Sequence, residues 1–168
     1  MGLEIKQFHR FVVQPALAHI GLAGIDAERL VVGTGLTESQ LAFIDQKGRG
    51  GETGWGPALG LFQMEKRTFD DHVLWLRTRQ VGLWAKVESW TWKSEAFPSL
   101  WHQLAGNLPF AAAMCRIHYY RAPEKLPSTL DGMAQIYKLR YNSPLGAATE
   151  QDFKSRAAPV MTLVQPLA

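Results

Sequence analysis

Glu38 is the residue of this chain best placed for acid–base chemistry. It follows the apolar run Leu30-Val31-Val32 and lies between Leu36 and Leu41, close to Phe43. A carboxyl group among apolar neighbours keeps its proton to higher pH, because burial disfavours its charged form. Cleavage of a glycosidic bond needs such a protonated acid at the leaving oxygen. Composition alone would read Glu38 as an exposed helical glutamate. Its company argues otherwise: Glu38-Ser39 is followed, after a glycine-rich stretch, by Pro57-Ala58-Leu59-Gly60-Leu61-Phe62-Gln63, and far downstream by Tyr141-Asn142.

In this order, the three segments resemble the motifs of soluble lytic transglycosylases and related lysozyme-like muramidases. That group carries Glu-Ser, then Gly-Ala-x-Gly-Leu-x-Gln, then Tyr-Asn. The longer strings Gly56–Glu65 and Tyr141–Phe153 resemble phage virion proteins of the group, and the motif-bearing part spans about residues 26–156. The resemblance implies a mainly α, lysozyme-like fold with a small β-hairpin or loop lobe after the catalytic helix. It also implies cleavage of the β-1,4 bond between N-acetylmuramic acid and N-acetylglucosamine, with Glu38 as general acid and then base. Gln63 would line the sugar groove, and the Tyr141 hydroxyl would hold Glu38 or the substrate. Ser39 would orient the acid or bind substrate, and Asn142 would bind sugar.

The residues also admit plainer roles. Ser39 could simply end a helix, Gln63 could be a buried amide bonded within the core, Tyr141 a core tyrosine, and Asn142 part of the turn before Pro144. The chain departs from the family pattern in two places: Pro57 replaces the first glycine of the second motif, and Ser143-Pro144 replaces Ala-Gly after Tyr-Asn. These departures motivate an alternative, a catalytically inactive lysozyme-like protein that builds a virion or binds the cell wall.

A second carboxylate would decide the mechanism. Hydrolases place two acids about 5–5.5 Å apart for retention or about 6.5–9.5 Å apart for inversion. Asp45, Glu52 and Glu65 are the candidates. Lytic transglycosylases need only one acid, because the muramic acid 6-hydroxyl, held close, replaces water. Trp55, in the glycine-rich loop, could stack on a sugar face or merely pin the loop.

The remaining sequence narrows the alternatives. With 168 residues and 46% hydrophobic content, the chain reads as one globular domain, 1–168. Eighteen Lys and Arg against fifteen Asp and Glu give +3, and no compact basic run points to nucleic acid. The five histidines form no i, i+4 ligand pair, no Cys-x-x-Cys or Walker loop occurs, and no metal or cofactor is expected. The lone cysteine, Cys115, lies in an apolar string and reads as an inert buried thiol. No stretch is long enough to span a membrane, and Met1–Lys6 does not resemble a signal peptide. The resemblance to phage virion proteins, with which the lack of an export signal agrees, implies synthesis in a host cytoplasm, association with a virion and other virion proteins, and action on glycan strands in the periplasm or wall.

Periodicity predicts the elements that must position these residues. An apolar stripe from Ile5 to Ile20 is interrupted by Pro15, and Asp26 is the expected N-cap of a helix running to Glu38. Gly33 and Gly35 weaken that helix or allow close packing under the site. Residues 47–60 read as a glycine-rich loop, with a small hairpin at its far end. Thr68 with Asp70 and Asp71 predicts another helix start. The tryptophan-rich stretch 81–101 has no legible boundaries. Asn107–Tyr120 reads as a central apolar helix with Pro109 in its first turn. Ser128 with Asp131, and Thr149 with Asp152, predict two further helix starts.

Overall fold

A computed structural model describes residues 2–45, 56–142 and 146–166; Glu52, Trp55, Ser143 and Pro144 lie outside them. Helix α1 (Ile5–Phe8) passes through a π-helical turn (His9–Val13) into α2 (Gln14–Ile20). Pro15 lacks the N–H that would bond the Phe11 carbonyl, and the chain widens just before it. Helix α3 (Ile25–Ser39) follows, then the hairpin strands β1 (Ala58–Leu59) and β2 (Met64–Glu65). Next come α4 (Lys66–Arg79), α5 (Val81–Glu88), a 3₁₀ turn (Trp101–Ala105) and α6 (Leu108–Tyr120). The chain closes with α7 (Leu130–Ile136), a second π-helical turn (Tyr137–Tyr141), α8 (Glu150–Ala157) and α9 (Val160–Leu163). The protein is thus mainly α with one small antiparallel hairpin, and no described helix is long and apolar enough to cross a membrane.

Helix α6 is the hub. Phe110 through Ile117 are buried without a break, so the helix is surrounded on every face rather than striped. It packs against α2, α3, α4 and both the 3₁₀ and second π turns. Cys115 is fully buried there, and burial pushes its thiol far up, leaving it unreactive at neutral pH. The Asn107 side chain caps the helix at the Phe110 N–H, and Pro109 sits in the first turn as expected.

Helix α3 continues straight through Gly33 and Gly35. A Cβ on Gly33 would come within 2.9 Å of Phe153 Cζ, and one on Gly35 within 2.7 Å of Leu41 Cδ2. The glycines therefore let α8 and the post-helix turn press onto α3, and that packing offsets their poor helix propensity. Buried Thr34, Thr37 and Ser39 return their hydroxyls to the carbonyls of Leu30, Gly33 and Gly35.

Several helix starts differ from the sequence expectation. Asp26 lies in the first turn of α3, where it still complements the dipole, and Gly24 occupies the cap position. Helix α4 begins at Lys66, two residues before Thr68. Thr129 rather than Ser128 caps α7, accepting from the Gly132 N–H. At α8 the expected reciprocal bonds form: Thr149 and Asp152 each accept the other's backbone N–H. The segment after α9 packs down, with Val164 buried and Arg29 donating to the carbonyls of Met161 and Val164.

Candidate active site

Glu38 stands near the end of α3, one residue before the helix terminates. Gln40 (φ 54°) and Leu41 (φ 53°) then turn the chain through the left-handed region, and the Gln40 N–H returns to the Gly35 and Leu36 carbonyls. Gln63, in the hairpin turn, is the third non-glycine residue with positive φ among the described residues. Each such residue costs about 1–2 kcal/mol unless its surroundings enforce it. All three flank the two segments that build the site.

The hairpin pairs Ala58 with Glu65 and Leu59 with Met64. Its turn, Gly60 to Gln63, is tied down by groups remote in sequence. Ser39 Oγ donates to the Leu61 carbonyl at 2.7 Å, and the Tyr141 hydroxyl donates to the Phe62 carbonyl at 2.7 Å. Gln63 Nε2 donates to the Gly60 carbonyl at 2.8 Å. Just past the turn, the buried Trp101 Nε1 donates to the carbonyl of Met64 at 3.1 Å. The three sequence motifs therefore meet, bonded to one another. Pro57 is exposed just before β1, where its missing N–H costs no ladder bond.

Glu38 opens into a cleft of ≈ 810 Å³ whose walls include Gln63, Tyr137, Tyr141, Asn142 and Arg156. A smaller recess of ≈ 310 Å³, lined by Ser39, Phe43 and Asp45, shares Glu38, Gln63 and Arg156 with it. Glu38 lies at the junction of the two. Its Oε1 accepts a 2.7 Å hydrogen bond from the Tyr137 hydroxyl, while no donor among the described residues meets Oε2. Burial raises the carboxyl to about 6, against the opposing pull of the Tyr137 hydroxyl and the Arg156 charge. The acid is thus held by one oxygen, with the other free of donors among the described residues.

Two of these residues were not singled out by the sequence. Tyr137 occupies the position next to Glu38 that the resemblance gave to Tyr141, and Tyr141 instead fastens the hairpin turn. The π turn sets the two tyrosines four residues apart with near-parallel rings, centroids 6.2 Å apart. Tyr137 further packs on Phe153, and Tyr141 on Tyr119, whose hydroxyl meets Thr34 of α3. Arg156, on α8, donates to the Thr37 carbonyl at 2.5 Å and is fixed beside the acid. The only sequence signal for Tyr137 is its place four residues before Tyr141 on one helical face; Arg156 carries none.

The other expected residues divide. Ser39 is buried and structural in its bonds. Gln63 and Asn142 line the cleft, although each side chain also bonds a nearby carbonyl, Gly60 and Ala148 respectively. Asp45 lines the smaller recess and accepts the Gly56 N–H at 2.8 Å. Glu65 is exposed on the rim of the larger cleft. Among the described residues no cluster of three His, Cys, Asp or Glu side chains is placed to hold a metal.

The Tyr137 bond has a measurable consequence. It favours the charged form of Glu38, so Tyr137→Phe will raise the Glu38 pKa above its present value. Losing a hydrogen bond to a charged group should shift the high-pH limb of a rate profile upward by about one pH unit. An unmoved limb in that variant would separate Tyr137 from the acid.

No family model, curated protein or solved structure matches the chain.

Proposed function

We propose that this chain degrades peptidoglycan, cleaving the β-1,4 bond between N-acetylmuramic acid and N-acetylglucosamine within a lysozyme-like fold, with Glu38 as general acid and then base. The observation that supports this most is the convergence of Glu38-Ser39, Gly60–Gln63 and Tyr141-Asn142 on one cleft around a half-buried acid. A pKa of about 6 leaves Glu38 largely protonated in mildly acidic solution, as a proton donor requires, with roughly a tenth still protonated at pH 7.

In the first step Glu38 gives its proton to the glycosidic oxygen as the bond from that oxygen to the muramic acid C1 breaks. The resulting carboxylate then removes a proton from the nucleophile. If the nucleophile is the muramic acid 6-hydroxyl, a 1,6-anhydro ring closes and no water is consumed. If it is water, a reducing end forms, and a second carboxylate, Asp45 or Glu65 among the described residues, would assist. Tyr137 and Arg156 stabilise the carboxylate between the two steps. Gln63 and Asn142 offer amide groups to the sugar. The resemblance further supports a virion setting, where local digestion of the wall would aid entry.

Digestion of purified Gram-negative peptidoglycan, with products read by mass spectrometry, tests the reading. Muropeptides one water lighter than reducing-end species are the expected result for the single-acid route, and reducing ends for the two-acid route. Wall binding without soluble fragments would replace the enzyme with a structural or wall-binding protein.

A further inference from the structure

Beside the cleft lies a second pocket of ≈ 500 Å³, walled by Arg67, Asp71, His72, His118, Arg121 and Arg140. It shares Thr68, His118 and Arg140 with the cleft, so the two adjoin along those side chains. Its size falls within the roughly 300–1,000 Å³ typical of small-ligand sites. Three guanidinium groups line it against one carboxylate.

Two of those guanidiniums are held in place. Arg121 Nη1 donates to Asp71 Oδ2 at 2.5 Å and to His72 Nδ1 at 2.6 Å. Arg140 is clasped through two nitrogens by Glu124, which stands outside the pocket wall. The histidines lock this arrangement. His118 Nε2–H donates to the Arg140 carbonyl at 2.7 Å, so its Nδ1 is bare and accepts from His72 Nε2–H at 2.9 Å. That leaves His72 Nδ1 bare to accept from Arg121. Both rings are kept neutral chiefly by burial, with Arg121 adding to the effect, and His72 is lowered to about 3. The chain of bonds therefore runs one way, orients the wall and adds no charge. Arg67 is exposed and has no ion-pair partner among the described residues. Arg121 and Arg140 are already neutralised by Asp71 and Glu124, so the free positive charge of the recess is that of Arg67, which suits a ligand carboxylate, with the two held guanidiniums as neighbouring N–H donors.

We propose that this pocket is an anion subsite of the cleft and receives the carboxylates of an acidic peptide branching from the ligand. The proposal rests on the glycan reading of the cleft, in which each muramic acid carries a stem peptide with free carboxylates. The shared wall of Thr68, His118 and Arg140 puts the pocket within reach of a branch on a ligand seated in the cleft.

The test titrates the full chain, by calorimetry at low salt, with the free stem tetrapeptide and with the same peptide amidated at its carboxylates. The acidic peptide should bind with an affinity that falls as salt rises. Amidation and Arg67→Glu should each weaken it by about tenfold or more, the loss expected for one charged hydrogen bond. Arg67→Lys should retain most of the affinity, which also controls for folding. Equal affinity for acidic and amidated peptides, no binding of the acidic peptide, or an unaffected Arg67→Glu protein would overturn the proposal. Free glutamate binding as tightly as the peptide would overturn the peptide assignment. No glycan and no cleavage enter this measurement, so failure of the subsite and failure of the proposed activity show separately.

Discussion

If the proposed activity holds, Glu38→Gln will reduce glycan cleavage by about 10²–10⁴-fold, the contribution of one positioned general acid. The amide keeps the shape of the side chain and can still accept from Tyr137, so substrate binding should survive. The same substitution should stabilise the protein near neutral pH. The folded-state pKa of Glu38 is about 6, above its ordinary 4.5. Its protonation therefore supports folding fully below about pH 4.5, and that support is lost as pH rises through about 6. A neutral amide removes the penalty of a buried charge, which amounts to about 2 kcal/mol at pH 7. Urea unfolding at pH 4 and pH 7 would check it: the variant gains over wild type at pH 7 and converges with it at pH 4. A variant with full activity, or one less stable than wild type at pH 7, would remove Glu38 from the role.

Gly60→Ala should produce the largest structural loss. Gly60 has φ +76°, a conformation that costs a residue with a side chain about 1–2 kcal/mol. An added Cβ would also run into the Leu104 carbonyl, which cannot swing aside as a side-chain tip can. Together these should cost about 3 kcal/mol or more, a large share of the 5–15 kcal/mol typical of a domain. The damage would not stay local. The turn starting at Gly60 carries the carbonyls that Ser39 and Tyr141 hold and the Gln63 side chain that lines the cleft. Activity should therefore fall at temperatures where the variant remains folded. A thermal midpoint within a degree or two of wild type would show that the turn relaxes more easily than this geometry allows.

The sequence and the structure agree most where one residue type answers one local demand. Asn107 with Pro109 marked the start of α6, Thr149 with Asp152 marked α8, and an unbroken apolar run marked α6 as central. At the site, Glu38, Gln63, Tyr141 and Asn142 were legible as short strings, and the fold brings those strings together. What was not legible depends on packing between distant elements. Tyr137 reads as an ordinary core tyrosine, and only the π turn, with its packing against α8, which itself lies on α3, brings its hydroxyl to the acid. Arg156 reads as one of many helical arginines until Gly33 lets α8 press onto α3. The pocket lined by Arg67, Arg121 and Arg140 joins residues from three separate stretches, so no local spacing could reveal it. Misplaced caps, Asp26 for Gly24 and Ser128 for Thr129, arose where two residues one or two positions apart were both able to start a helix.

The central claim is that Glu38 works as a proton donor, and the pH dependence of kcat/KM for peptidoglycan solubilisation tests it most directly. The account predicts a rate that is high below about pH 6 and falls as pH rises through that value, reporting the free enzyme's essential acid. A rate that holds level or rises between pH 5 and pH 8 would contradict it.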